Sequence, residues 1–246
     1  AAILGYQLQG IRLALLAGIG VGYLCVFGQW EPSLETLSFV LVCAPICFIL
    51  GLGFGIWGYL NRTVEAALEP LLNCMQTLPH FSYLVPVMVL FGIGDHAGAV
   101  ATIIFATPPM IRLTILGLRK ISPDIVDSGL MSGCSKFQLL FRVLIPTART
   151  DILIGVNQVI MQCLAMTTIA AFIGARGLGF NLKVALNSLE IGKASEIGLC
   201  VVLIAVILDK YSLAWANKQK DYFSDLNFFQ RYRPYIGFIL LTLLAI

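Results

Sequence analysis

Apolar residues in this chain come in long runs, separated by short stretches where charge, proline and glycine concentrate. Runs at approximately 11 to 28, 35 to 60, 64 to 94, 97 to 118, 150 to 173 and 194 to 215 each approach the roughly 20 mostly apolar residues that a helix needs to cross a bilayer. The run 64 to 94 is interrupted, with Pro79 and Pro86 dividing it. A seventh starts near Pro234 and is cut at Ile246. About a dozen apolar residues are too few to cross, so this segment is expected either to continue or to lie at the interface. The pattern predicts an all-α membrane protein with about six full spans plus a truncated C-terminal apolar segment.

Composition agrees with that reading. Of 246 residues, 59% are hydrophobic and 12% are charged, whereas soluble domains carry roughly 25% charged residues. A water-soluble globular enzyme is thereby excluded. The net charge of +3 is small and scattered, which excludes a disordered chain or a phosphate-tracking surface, so no nucleic-acid partner is expected. The seven cysteines, Cys25, Cys43, Cys47, Cys74, Cys134, Cys163 and Cys200, contain no C-x-x-C pair and have no neighbouring histidine. No metal site is predicted. They are expected to act as small hydrophobes, with Cys43 and Cys47 on one helix face.

Lysine and arginine orient the spans, because cytoplasmic loops hold them in excess. The segment 119 to 150 carries Arg119, Lys120, Lys136, Arg142 and Arg149, and 209 to 233 carries Lys210, Lys218, Lys220, Arg231 and Arg233. Both are predicted to be cytoplasmic, as is the turn at Arg62. The connections at 28 to 35 and 94 to 97 hold Glu31, Glu35, Asp95 and His96 without a basic residue, and face outward. Counting crossings puts 174 to 193 outside as well, despite Arg176, Lys183 and Lys193. Gly18 with Gly22, and Gly51 with Gly55, are small-x-x-x-small pairs expected to let helices of this chain approach closely. No P-loop is present: Gly192-Lys193 is followed by Ala194, and the upstream glycine is missing.

The segment from Arg119 to Arg149 is too structured for a linker. Pro123 and Asp124 after Ser122 mark a helix start, with Ser122 or its neighbour capping. Ile125, Val126, Leu130, Phe137, Leu140, Phe141 and Leu144 recur at helical spacing. This predicts two short helices around a bend at Gly133, stopped before Pro146, on the cytoplasmic face.

Within it, Asp127-Ser128-Gly129, then Gly133, then Val143-Leu144-Ile145-Pro146 resembles the glutamate-alanine-alanine, glycine, isoleucine-x-leucine-proline signature of ABC importer permeases. Aspartate replaces the glutamate, serine and glycine replace the alanines, and the hydrophobic residues are exchanged. The flanks resemble the permease of glycine betaine and related quaternary-amine importers: Met75-Gln76-Thr77-Leu78-Pro79, Phe81-Ser82-Tyr83-Leu84-Val85-Pro86, Phe91-Gly92-Ile93-Gly94, Pro108-Pro109-Met110-Ile111-Arg112-Leu113-Thr114, Asn157-Gln158 and Ile173-Gly174-Ala175-Arg176-Gly177-Leu178-Gly179. The similarity runs from about Val64 to Asp209.

This resemblance implies a type I ABC importer transmembrane domain in the cell (inner) membrane, surrounded by lipid. It divides the chain into N-terminal spanning helices over 1–60, a core permease domain over 61–215 with a coupling segment at 119–149, and a C-terminal cytoplasmic stretch with the start of a further apolar segment over 216–246. It also implies three partners: a cytoplasmic ATPase subunit, a substrate-binding protein or domain, and a second permease copy or homologue. The chain itself is expected to be no enzyme and to bind no cofactor, with ATP and Mg on the partner ATPase. Coupling to that ATPase falls to Asp127, Ser128, Gly129, Gly133, Cys134, Ser135, Lys136 and Pro146. In that role Gly133 allows the close turn, Asp127 offers a carboxylate to a basic partner residue, and Pro146 ends the helix. The implied solutes include glycine betaine, proline betaine, choline, carnitine and trimethylamine N-oxide. The alternative is an ion-coupled secondary transporter of small organic solutes, but no acidic residue is expected deep in a span and no internal repeat is seen.

A translocation path is expected to involve Met75, Pro79, Phe81, Tyr83, Asn157, Met161, Gln162, Met166 and Thr167. Proline in a span frees backbone groups that are tolerated only inside protein or beside water. Phe81 and Tyr83 either offer aromatic faces to a quaternary ammonium or serve as packing aromatics. Asn157, Gln158, Gln162, Thr167 and Thr168 either line a passage or bond between helices. Arg112 snorkels or pairs with a carboxylate, and His80 and His96 read as structural. The segment 174 to 193 either contacts a binding protein or simply returns the chain.

Overall fold

The computed structural model describes residues 11–217, so the expected apolar segment from Pro234 and most of the stretch 216–246 lie outside the described residues. Helices make up the architecture. They are α1 (Ile11–Val26), α2 (Trp30–Leu60), α3 (Arg62–Thr77), α4 (Phe81–Phe91), α5 (Asp95–Arg119), α6 (Pro123–Met131), α7 (Lys136–Gln138), α8 (Ile145–Thr147), α9 (Arg149–Ala170), α10 (Leu178–Asn187) and α11 (Ile191–Asn217). A π-helical turn (Leu139–Leu144) joins α7 to α8, and a 3-10 turn (Ala171–Ile173) follows α9.

Of the six crossings expected, four stand as helices long and apolar enough to span: α2, α5, α9 with its 3-10 turn, and α11. A fifth is a bent pair, α3 with α4, and α1 is a shorter apolar helix of 16 residues. At 1.5 Å rise per residue the described residues of α1 cover about 24 Å.

The bundle is built around α5, which packs most extensively against α2 and α9. Its buried stripe is rich in small residues, including Ala97, Gly98, Ala101, Thr102, Ala106, Thr114 and Gly117. Small residues on the facing helices complete the fit. A Cβ on Gly55 of α2 would stand 2.6 Å from the Thr114 Cβ and 3.1 Å from the Ile111 carbonyl oxygen, and one on Gly51 would meet the Met110 side chain. Gly155 of α9 has the same relation to Met110, at 2.8 Å from its sulfur, and Gly117 to Asp151 at 2.8 Å. The Gly51/Gly55 pair therefore makes a helix contact within the chain, as its spacing predicted. Gly18 and Gly22 do not: both are exposed, and the close approach of α1 to α11 is made by Gly20 against Ile207. The Thr102 and Thr107 hydroxyls donate back to carbonyls of their own helix, to Gly98 at 2.7 Å and Ile103 at 2.6 Å, so these two need no partner on another helix, whereas the Thr114 hydroxyl is buried without one.

The run 64 to 94 differs from its expectation in two ways. Only Pro79 breaks it: Leu78 takes an extended conformation before that proline, and α3 and α4 meet at 99°. Pro86 does not divide the segment and lies inside α4, as Pro45 and Pro70 lie inside α2 and α3. Second, α3 is amphipathic. Its Glu65 forms an ion pair with Arg119 and its Asn73 accepts from Arg112, so Arg112 pairs with an amide where a carboxylate or the interface was expected. The Tyr83 hydroxyl donates to the Met75 carbonyl across the break, and the His80 ring lies 4.3 Å from that of Phe105 on α5.

Basic residues gather at one end of the bundle, while the other holds Glu31, Glu35 and Asp95 together with Arg176. The ends of α2, α5 and α3's first turn meet the start of α9 at one end, where Arg62, Arg119, Lys120 and Arg149 gather, and Lys120 reaches Asp151 at 3.4 Å. At the opposite end the starts of α2 and α5 meet the loop after α9: Asp95 accepts the Arg176 amide at 2.7 Å, Thr36 Oγ1 accepts that of Leu178 at 3.0 Å, and Gly94 donates to Ile173 at 2.9 Å. Gly177, at φ +116, sits against Thr36 with no room for a Cβ. The buried Asn157 carboxamide also donates to the half-buried Asp209 carboxylate at 3.0 Å, linking α9 to the C-terminal part of α11.

Close packing on α5 yields a contrast between two glycines of α2. Gly55→Leu is expected to destabilise the detergent-solubilised protein by about 1–3 kcal/mol through overpacking, while Gly53→Leu, with nothing within 4 Å of its Cβ, is expected to change stability by less than about 0.5 kcal/mol. Thermal unfolding of both variants checks the difference.

Candidate coupling segment and translocation path

The basic end carries the segment that the sequence singled out, and its two short helices are held in a defined geometry. Helix α6 begins at Ser122-Pro123, with proline at its first position, although the Ser122 hydroxyl makes no capping bond. It ends in a Schellman turn: Gly133 takes φ +76 and donates to Leu130 at 3.0 Å, and Cys134 donates to Gly129 at 3.3 Å. Glycine suits that position because a left-handed backbone costs an L-residue about 1–2 kcal/mol. The side chain that does cap is Ser135, two residues on. Its hydroxyl accepts from Gln138 and its amide donates to the Gln138 side chain at 2.9 Å, a complete capping box. Sequence reading missed this cap although Ser135 stands three residues before Gln138, the required spacing.

Pro146 does not end the second helix. The chain stays helical from Lys136 to Thr147, and the turn before the proline widens to a π-helix in which Ile145 donates to Leu140. A proline ring collides with the carbonyl four residues earlier and supplies no amide for it, and the wider turn accommodates both demands. The break falls at Ala148, before α9. Gly129 packs against Leu139 of the π turn, where a Cβ would stand 2.5 Å from that side chain's Cδ1, so the signature's small residue sets the distance between the two helices.

Asp127, Ser128, Ser135, Lys136 and Pro146 are exposed, and Gly129 and Cys134 are half-buried. Around them Ile125, Leu130, Met131, Phe137 and Phe141 leave an apolar ridge facing away from the bundle, with Met131 90% and Phe137 71% exposed. The Phe137 and Phe141 ring centroids lie 4.4 Å apart with the rings tilted by 38°. Such a ridge at the end of a bundle, flanked by charge, marks an interaction surface.

The expected path residues divide into separate groups. Tyr83 and Met166 are buried in one cluster with Leu84, Val87, Phe105 and Ile173, and Met75 joins it through the Tyr83 hydroxyl. Pro79 and Phe81 are exposed at the break, with Phe81 edge-on to Phe172 at 5.5 Å. Met161 packs against the larger core of α2, α5, α9 and α11, and Gln162 is half-buried. Thr167 returns its hydroxyl to Cys163 at 2.7 Å. Asn157 is 6% exposed and turns toward α11, where it donates to Asp209. The polar groups of α9 thus have different partners and form no single face. Asp209 escaped notice because it sits at the edge of an apolar run, where one charge reads as a terminus.

Comparison with known proteins accounts for this arrangement. Residues 47–215 match the family described as binding-protein-dependent transport system inner membrane component. The chain is 57% identical over all its 246 residues to the trimethylamine N-oxide transport system permease protein TmoV of Pelagibacter ubique (strain HTCC1062), covering 34% of that protein. It is 40% identical over 215 residues to the glycine betaine/proline betaine transport system permease protein ProW of Escherichia coli (strain K12), covering 87% of this chain and 60% of that one. With the glycine betaine transport system permease protein OpuAB of Bacillus subtilis (strain 168) the identity is 39% over 220 residues, 89% of this chain and 78% of the relative. The chain spans about a third of the length of the TmoV proteins it matches. In fold it is similar to the MetNI methionine ABC transporter in an inward-facing conformation, with a TM-score of 0.65 at 20% identity over 74% of this chain and 91% of that one. An α5-centred helical bundle with a broken span, a glycine-turned helix pair at its basic end and this match over 47–215 mean that the chain belongs to the family of binding-protein-dependent transport system inner membrane components, multi-pass proteins of the inner membrane.

Proposed function

We propose that this chain is the membrane-spanning permease part of an ATP-driven importer for a small osmolyte bearing a quaternary ammonium or amine oxide group. The observation that carries the reading is the apolar ridge of Ile125, Leu130, Met131, Phe137 and Phe141 on a helix pair fixed by Gly133 and Ser135. ATP and Mg belong to a separate ATPase in this reading, and the ridge docks into it with Asp127 and Lys136 at its margin. Because α6 and the helix from Lys136 to Thr147 are locked together through Gly129 and Leu139, a push on the ridge moves the start of α9 as a unit. The solute class is taken from the relatives, whose names give trimethylamine N-oxide and glycine betaine as cargo.

The basic end faces the cytoplasm by the distribution of lysine and arginine, and the acidic end with Glu31, Glu35 and Asp95 faces a substrate-binding protein or domain. The path runs past the break at Leu78–His80. Irregular backbone at membrane depth needs water or protein beside it, and the exposed Pro79 and Phe81 point that need toward a second permease copy across a shared passage.

Three outcomes follow. Gly133→Val is expected to leave the protein inserted but to lower ATP-driven uptake at least tenfold, while Gly133→Asn, which tolerates the left-handed backbone, keeps most of it; uptake into proteoliposomes with the ATPase present, compared with an imposed ion gradient alone, separates this function from a secondary transporter. With the accessible Cys25, Cys74 and Cys134 replaced by serine, Ser135→Cys is expected to react with an impermeant thiol reagent only from the cytoplasmic side. In the same background Phe81→Cys is expected to react with a small water-soluble thiol reagent, and solute is expected to slow that reaction; inertness with full transport activity places the path elsewhere.

A further inference from the structure

The contact between Asn157 and Asp209 is the polar link the transport reading leaves unused. Asn157 lies about 12 Å along α9 from Arg149 at 1.5 Å per residue, well inside the span. Its Nδ2 donates to Asp209 Oδ1 at 3.0 Å, and its own Oδ1 is buried without a partner. The Asp209 carboxylate is half-buried, and its other oxygen stands 3.9 Å from the Lys210 ammonium. An ionisable residue within a span is costly and is held only where it has a partner.

Apolar residues of both helices, among them Val156 and Ile160 of α9 and Ile204 and Leu208 of α11, belong to one core cluster. Apolar packing is non-directional and permits one helix to slide on the other; a single directional bond fixes which turn meets which. On its other side, the same stretch of α9 is gripped by α5, through Gly117 against Asp151 and Gly155 against Met110. It begins directly after the helix pair that carries the apolar ridge. A displacement of that pair therefore reaches α5 through close packing and α11 through Asn157.

We propose that Asp209 is a positioning residue for transport: its hydrogen bond with Asn157 fixes the register of α11 on α9, so that displacement of the coupling segment moves both helices together. This rests on the reading of the chain as an ATP-driven permease. The amide orientation supports it, since turning Asn157 over would set its carbonyl oxygen against a carboxylate and leave its amino group buried without an acceptor.

The test measures solute imported per ATP hydrolysed by the full transporter in proteoliposomes. Asp209→Leu, similar in size and lacking an acceptor, is expected to lower that ratio about tenfold with the complex still assembled. Asp209→Asn, which still accepts from Asn157, is expected to stay within about twofold of the wild type. Asn157→Asp sets two carboxylates together and is expected to fall, and the exchange Asn157→Asp with Asp209→Asn to recover. An unchanged ratio in Asp209→Leu, or an exchange no better than Asn157→Asp alone, overturns the inference. If Asp209→Leu is not recovered, the exchange against Asn157→Asp decides alone. Wild-type uptake that ignores ATPase inactivation overturns the transport reading itself, a result distinct from either.

Discussion

Helices in a bilayer gain nothing from hiding apolar surface, because the lipid is as apolar as they are; close approach of backbones has to supply the cohesion. That constraint organises this protein around α5. Gly51 and Gly55 of α2, Gly155 of α9 and Gly117 of α5 itself remove the side chains that would hold the three helices apart. The functional parts are then attached to the ends of this triple contact. At the basic end it fixes where α9 begins, and hence how the coupling segment leaves the bundle. At the acidic end Asp95, Thr36 and Gly177 tie the same helices through backbone amides.

Rigidity and looseness are distributed unevenly over this frame. The coupling segment is exposed yet stiff, since a Schellman turn, a capping box and a proline-spaced π turn determine its backbone in sequence. By contrast α3 buries only Leu72 among its residues and is held by polar contacts of Glu65 and Asn73 with α5. The transport proposed for this chain needs both kinds of element: one that passes a push without bending, and one whose contacts are few enough to change. The break at Leu78–His80 lies between that loosely held half and α4, which buries Tyr83, Leu84 and Val87 and whose Tyr83 bridges the gap.

Much of this was legible from residue order. Apolar run length set the place of α2, α5, α9 and α11 because spanning a fixed thickness demands a fixed count of residues. Proline and glycine placed the break at Pro79 and the turn at Gly133, since both act through local backbone chemistry that needs no partner. Lysine and arginine mark the end of the bundle that carries the two short helices, and the residues around Asp127 placed those helices.

What required the tertiary structure was every question of which face meets which neighbour. The same proline rule that works at Pro79 fails at Pro86 and Pro146, which both lie within helices, and at Pro146 a widened turn absorbs the lost bond. Small-residue spacing marked Gly51 and Gly55 correctly and Gly18 and Gly22 wrongly, since spacing says that two residues share a face and nothing about what lies opposite. Asn157 and Asp209 stand 52 residues apart. Only the packing of α11 on α9 turns a span polar residue and an apparent span terminus into one bonded pair, because a hydrogen bond is a matter of ångströms between groups whose separation along the chain carries no information about distance.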